Sequence, residues 1–294
     1  MNILIPLDPS ECSRAPLAFL ERRSVFAKHC VATLVTVFPT PRPSLIRMMP
    51  TADLEEAREQ YSREIFDAAQ PALDALGIVH ERVVAVGDPI HEILRTAKEH
   101  ESDVILMGAH GERHLADLLM GSVSSGVVAK STIPVLLIRD QLPAADRPIR
   151  IAIAVDQSEP SQKAIDFILS VRRVFGPHTD FRLIHAENHA VDVLSSFTTV
   201  ATMNDTDIRQ AARDEAWHRA VDPIAKRFAE AGLESKNVAL SGNPSQAIAD
   251  YVVQEDVDMI VMGSHQQSEL RKLFLGSRAQ EVAALTRVPL LIVR

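Results

Sequence analysis

The residues Gly108-x2-Gly111-x9-Gly121-Ser122 follow a short apolar run and lead into a helical pattern, and a counterpart stands 155 residues further on as Gly263, Gln266, Gly276 and Ser277. A chain of 294 residues with such a repeat must accommodate two copies of one strand–loop–helix unit. Two similar domains are therefore expected, each of roughly 140 to 150 residues and large enough to bury its own core. The expected boundaries are residues 1–140, a linker over 141–148 in which Pro and Ala dominate, and 149–294.

Both halves open with an apolar strand that ends at an acid, Ile3 to Asp8 and Ile151 to Asp156, and continue into Ser10-Glu11 and Ser158-Glu159. Side-chain oxygens and negative charge at those places suit helix N-termini. Second strands are expected over Ala32–Phe38 and Phe181–Ala186, third strands over Glu81–Val86 and Asn237–Leu240, fourth strands over Val104–Met107 and Met259–Met262, and last strands over Pro134–Ile138 and Pro289–Val293. Apolar stripes at helical spacing lie between them, the longest from Leu54 to Leu76, where Pro71 should kink or restart the helix. Strands alternating with helices predict a parallel sheet covered on both faces, twice over: an α/β fold of two doubly wound, Rossmann-like domains. The Pro-rich stretch from Pro39 to Pro50 reads as a loop near the carboxyl ends of the first domain's strands.

Composition narrows the function classes. A formal charge of −8 supplies no basic surface for nucleic acid. No apolar run approaches the roughly 20 residues that span a bilayer, and the N-terminus lacks the pattern of a secretory signal. Cys12 and Cys30 fit no common zinc or redox spacing, and two thiols suit a reducing cytoplasm.

In a doubly wound sheet, ligands bind outside the carboxyl ends of the strands, so residues just after strands are the ones to weigh. Gly108 and Gly111 are expected to permit a backbone path closed to residues with a Cβ, turning amides toward an anion. Gly121, Ser122 and Val123 would offer helix N-terminal amides to a phosphate, with the Ser122 hydroxyl as a further donor. Asp8 would accept from ribose hydroxyls or approach a magnesium ion. The plainer reading is that glycines make turns and that Ser and Asp cap helices. Their combination in one strand–helix context favours an anion site in the first half.

These residues resemble the universal stress protein family, specifically its two-domain members, over nearly the whole chain. The family signature, G-x2-G-x9-G followed by Ser or Thr, is matched in full by Gly108, Gly111, Gly121 and Ser122. The resemblance implies a fold like that of the adenine nucleotide alpha hydrolases, with five strands per domain, and ATP as ligand, with magnesium as a candidate companion. It also implies that Asp8 faces the ribose, that the Val37 backbone bonds adenine, that Pro6 and Leu7 flank the base, that Met107 lines the pocket and that Ser124 adds a phosphate contact. The last strands should pair across the domain boundary into a pseudo-dimer, and a homodimer of the chain is a further expectation. In the second half Asp156, Ala186, Met262, Gly263, Gly276 and Ser277 correspond, but Gln266 replaces a glycine and Arg278-Ala279 replace Val123-Ser124. A side chain at Gln266 should crowd the backbone approach, so nucleotide is not expected there; Arg278 would attract a different anion.

Other signals fail. There is no Walker motif, and His91-Glu92-Ile93-Leu94-Arg95 lacks the second His of a zinc protease. His110 and His114 flank the phosphate loop without a third ligand, and His265 recurs at the place of His110, so no metal is assigned. His185 falls beside the second site or packs against the strand end. No water-orienting residue or arginine finger is identifiable, so a dedicated ATPase is not expected. The leading expectation is a cytoplasmic stress-response protein holding ATP in its first domain, with the second structural or altered in ligand. The rivals are a nucleotide-free scaffold for a metabolite, lipid or partner protein, and an adenylate-forming enzyme.

Overall fold

The computed structural model describes residues 1–40, 50–109, 120–187, 215, 217–264 and 277–294. In the first half β1 (Asn2–Leu7), β2 (Val31–Phe38), β3 (Val79–Val86), β4 (Val104–Gly108) and β5 (Val135–Ile138) alternate with α1 (Ala15–Arg22), α2 (Thr51–Leu76), α3 (Pro89–Glu99) and α4 (Ser122–Lys130). The second half repeats the scheme. Its strands are β6 (Arg150–Ala154), β7 (Asp180–Glu187), β8 (Ser235–Ser241), β9 (Met259–Gly263) and β10 (Leu290–Val293). Its helices are α5 (Glu159–Ser170), α6 (Asp222–Glu230), α7 (Pro244–Gln254) and α8 (Ser277–Leu285).

All ten strands form one sheet in the order β3-β2-β1-β4-β5-β10-β9-β6-β7-β8. Pairing is parallel within each half and antiparallel only where β5 meets β10, with Leu136 opposite Leu291. Strand alternation divides the apolar residues between two cores. Ile3, Ile5 and Leu7 face α1, α2 and α5, whereas Leu4, Met107 and Met262 face α3, α4, α7 and α8. The central strands are apolar on both sides because helices cover both. Full burial of Ile3, Leu4 and Ile5 contributes about 1.5–3 kcal/mol for each side chain.

Local chemistry explains the helix starts. Asp88 accepts from the His91 amide at 3.0 Å and Asn243 from the Gln246 amide at 3.1 Å, each followed by Pro at the first helical position. Gly87 and Gly242, at φ +149° and +112°, provide the turn from strand to cap that a side chain would strain. One expectation needs correction: α2 runs unbroken through Pro71. Pro71 and Asp67 are both exposed, so the carbonyl left without its amide partner lies on the water side and costs little. Ile208 and Ala212, expected on the second half's stripe, fall outside the described residues.

Side chains also tie the halves together. Arg139, just after β5, donates to the Ala283 carbonyl of α8, and Arg294, just after β10, donates to the Ala129 carbonyl of α4 at 2.6 Å. Each guanidinium thus reaches the negative end of a helix belonging to the other half. Burial depresses the pKa of both arginines. Phe26 and Phe175 meet edge to face at 5.8 Å across the same boundary. Segment 141–148 is held by Asp258, a carboxylate 5% exposed that accepts from the amides of Ala144 (3.0 Å) and Arg150 (2.8 Å) and from Arg147 Nη1 (2.5 Å).

Candidate functional site

The strand order places a switch point between β1, from which the chain winds outward to β2 and β3, and β4, to which it returns. A crevice must open there, outside the carboxyl ends. Asp8 follows β1 and Gly108 ends β4, so these two sequence candidates come together. Met107 is buried, with Val37 and Val123 packed against the same core.

Asp8 is exposed, but its carboxylate already has local work. Oδ1 accepts from the Ser10 amide at 2.9 Å and from the Ser10 hydroxyl. Ser10 in turn caps the short helix Glu11–Arg14 by accepting from the Ser13 amide. Asp156 and Ser158 repeat the motif: Asp156 Oδ1 accepts from the Ser158 amide at 2.9 Å and its hydroxyl at 2.5 Å, and Ser158 caps α5. The aspartate–serine turn thus fixes each carboxylate at the mouth of its crevice. Next to Asp8, burial and then the charges of Asp140, Asp8 and Glu11 raise the Cys12 thiol's pKa, which disfavours its thiolate.

The glycine loop is pinned at its neck. The Gly121 amide donates to the Ala109 carbonyl at 2.8 Å, and the Ser124 hydroxyl donates to the same oxygen at 2.6 Å. Ser124 is buried, and its hydroxyl closes the loop instead of standing free for a phosphate. Gly121 precedes α4 in extended conformation, φ −66°, with no side chain capping the helix. Among the described residues, the first amides of α4 therefore have no side-chain acceptor, and Ser122 is exposed beside them. Neither Gly108 nor Gly121 adopts a positive φ. Leu7 also differs from expectation: its side chain lies in the core of α1 and α2, on the opposite face of the sheet from Met107. Pro6 is half-buried. Gly111, His110 and His114 fall outside the described residues.

In the second half the corresponding residues enclose a cavity of about 420 Å³, lined by Asp156, Ala186, Met262, Gly263 and Arg278 among others. Gly263 is needed for space: a Cβ there would lie 2.2 Å from the Pro160 carbonyl carbon, so β9 can approach the first turn of α5 only with glycine at its end. Arg278 Nη1 stands 3.7 Å from Asp156 Oδ2, a pairing with no counterpart at Val123. His185 lies on the other face. Its Nδ1 is 2.7 Å from the Val155 carbonyl, and its ring meets Trp217 edge to face. Gln266, Gly276 and His265 fall outside the described residues, as does the Ser277 side chain, so the expected obstruction by Gln266 is not among the walls seen. The sequence reading missed the Arg278–Asp156 pair and the serine turns, although the Asp-x-Ser spacing at 8/10 and 156/158 was there to be read.

The family model described as universal stress protein family matches residues 1–139 and again residues 149–294. The chain belongs to the universal stress protein family. A universal stress protein of Mycobacterium tuberculosis is 24% identical over 309 aligned positions, covering 100% of this chain and 96% of its own. A universal stress protein of Bacillus subtilis is 26% identical over 148 residues, covering 49% of this chain and 98% of its own, as expected of one domain set against two. Among solved structures, a universal stress protein from Archaeoglobus fulgidus superposes with a TM-score of 0.73 at 21% identity, covering 100% of this chain and 98% of that one, and so shares the fold. Two repeated α/β domains of Rossmann-like type are thus the architecture of this universal stress protein. Among its described residues, no helix is long and apolar enough to cross a membrane.

Proposed function

We propose that the first half binds ATP and that the second half is structural or takes a different ligand, within a cytoplasmic stress-response role. Asp8 faces the ribose, the Val37 backbone meets the adenine, and Met107 and Val123 form the apolar wall. The Gly108–Gly111 and Gly121–Ser122 amides cradle the phosphates, and magnesium, where bound, would be held near Asp8 and would supply charge neutralisation. The observation that carries this reading is the start of α4: a helix N-terminus that no side chain among the described residues caps, delivered by a glycine to the switch point between β1 and β4. At the same rim the Glu11–Arg14 helix is capped by Ser10, so the amides of α4 are the ones left for an anion.

The residues support binding and provide no machinery for rapid phosphoryl transfer, so we assign no dedicated enzymatic activity. A homodimer is part of the proposal through the family resemblance alone. The test is calorimetric titration of ATP into the purified chain, with mass spectrometry for co-purified nucleotide. About one equivalent should bind the wild type. Gly111→Gln, which copies the second half's residue into the first, should abolish binding without altering the circular dichroism spectrum. Undiminished affinity in that variant would refute the site, and absence of any ATP binding by the wild type would favour a nucleotide-free scaffold.

A further inference from the structure

Where the first half has Val123, the second has Arg278, and this exchange changes what its crevice can hold. Arg278 is 60% exposed and stands 3.7 Å from Asp156, which is 41% exposed. That separation exceeds a hydrogen bond, and an ion pair so open to water is held weakly. Asp156 cannot follow the guanidinium inward, because its other oxygen is fixed by the Ser158 amide and hydroxyl. Both residues line the cavity of about 420 Å³, whose other walls are apolar at Ile184, Ala186, Ile248, Met262 and Ala279 and polar at Ser158, Ser161 and Ser264. That size falls within the range of small-molecule pockets, roughly 300–1,000 Å³. A half-exposed cation, a carboxylate held near it and an apolar stretch of wall from Ile184 to Ala279 suit a ligand with one anionic head and an apolar body.

We infer that the second-half cavity binds a small amphiphilic organic acid, its carboxylate exchanging for Asp156 on Arg278 and its apolar body lying against Ile248 and Met262. A planar guanidinium can take a carboxylate through two parallel N–H bonds, which the pinned Asp156 does not offer at its present distance. The inference rests on the functional reading above only in assigning ATP to the first half.

The probe is octanoate, measured on the full chain by displacement of the fluorescent anion 8-anilinonaphthalene-1-sulfonate. Arg278→Val, which installs the first half's residue at an exposed position, should weaken octanoate about tenfold, the scale of one lost charge-assisted contact. Asp156→Asn should tighten it, because the guanidinium is released while the Ser158 turn keeps its acceptor; a merely structural role for Asp156 would not produce tighter binding. Ala186→Phe should fill the cavity and abolish displacement. Unchanged affinity in Arg278→Val, or weaker binding in Asp156→Asn, overturns the proposal. So does ATP displacing the probe in a manner that Ala186→Phe removes, since nucleotide would then occupy this cavity. Octanoate results as expected in a chain that binds no ATP by calorimetry would uphold this site and remove the first-half reading alone.

Discussion

Two glycines offer a controlled comparison of what space inside this sheet costs. A Cβ added at Gly263 would lie 2.2 Å from the carbonyl carbon of Pro160, 2.3 Å from its oxygen and 2.5 Å from the Ser161 nitrogen. A Cβ added at Gly126 would approach just as closely, 2.2 Å, but to the terminal Cδ1 of Ile90. For Gly263→Ala the obstacle is backbone at the first turn of α5, which must retreat by about 1 Å to reach ordinary contact at 3.4 Å. That turn is anchored by the Ser161 amide on Ser158 Oγ and by Ser161 Oγ on the Asp156 amide. Overpacking costs about 1–3 kcal/mol and loosening a cap about 1 kcal/mol more, so Gly263→Ala should destabilise by roughly 2–4 kcal/mol. For Gly126→Ala the half-buried Ile90 changes rotamer at a cost of about 1 kcal/mol, and alanine returns about 1 kcal/mol of helix preference. The net change should stay within about 1 kcal/mol. Urea unfolding of both variants, followed by circular dichroism, measures the difference. Equal losses, or a Gly263→Ala protein as stable as wild type, would refute the claim that the kind of atom met, and not the distance, sets the cost.

Burial pushes the Cys30 thiol up to about 12. The unfolded thiol ionises near 9 while the folded one stays protonated, so this group's contribution is present below pH 9 and lost as pH rises toward 12. Wild type should therefore lose about 2–3 kcal/mol more than Cys30→Ala between pH 8 and pH 11 in denaturant titrations, and parallel losses would contradict the assignment. Asp258→Asn removes the charge that holds Arg147 and disturbs the acceptor for the Ala144 and Arg150 amides. It should destabilise by about 3 kcal/mol and speed thermolysin cleavage within segment 141–148. Cleavage at the wild-type rate would show that segment 141–148 is held by something else.

The alternation of apolar strands with amphipathic helices was legible because each signal is local: β1 and β6 announce themselves in Ile3-Leu4-Ile5 and Ile151-Ala152-Ile153, and the Gly-Asp-Pro and Gly-Asn-Pro turns carry their own geometry. The sequence also placed Asp8, Gly108 and Met107 at strand ends, which the parallel pairing of β1 with β4 brings to the same end of the sheet. What it did not show depends on contacts between distant segments. Nothing in the neighbourhood of Ser124 indicates that Ala109 will claim its hydroxyl, and nothing near Gly263 names Pro160 as the reason for a missing side chain. The direction of Leu7 follows from strand parity, but which face carries the ligand crevice follows from the order of the strands. Pro71 was misjudged because a helix tolerates proline on its wet side, and wetness is decided by the fold.

The antiparallel seam between β5 and β10 reverses one half relative to the other, so their two ligand mouths open at opposite ends of the strands. What joins the halves across that seam is the pair of four-residue strands, the reciprocal grip of Arg139 and Arg294, and the edge-to-face contact of Phe26 with Phe175, so a shift in one half reaches the other through packed, reversed elements.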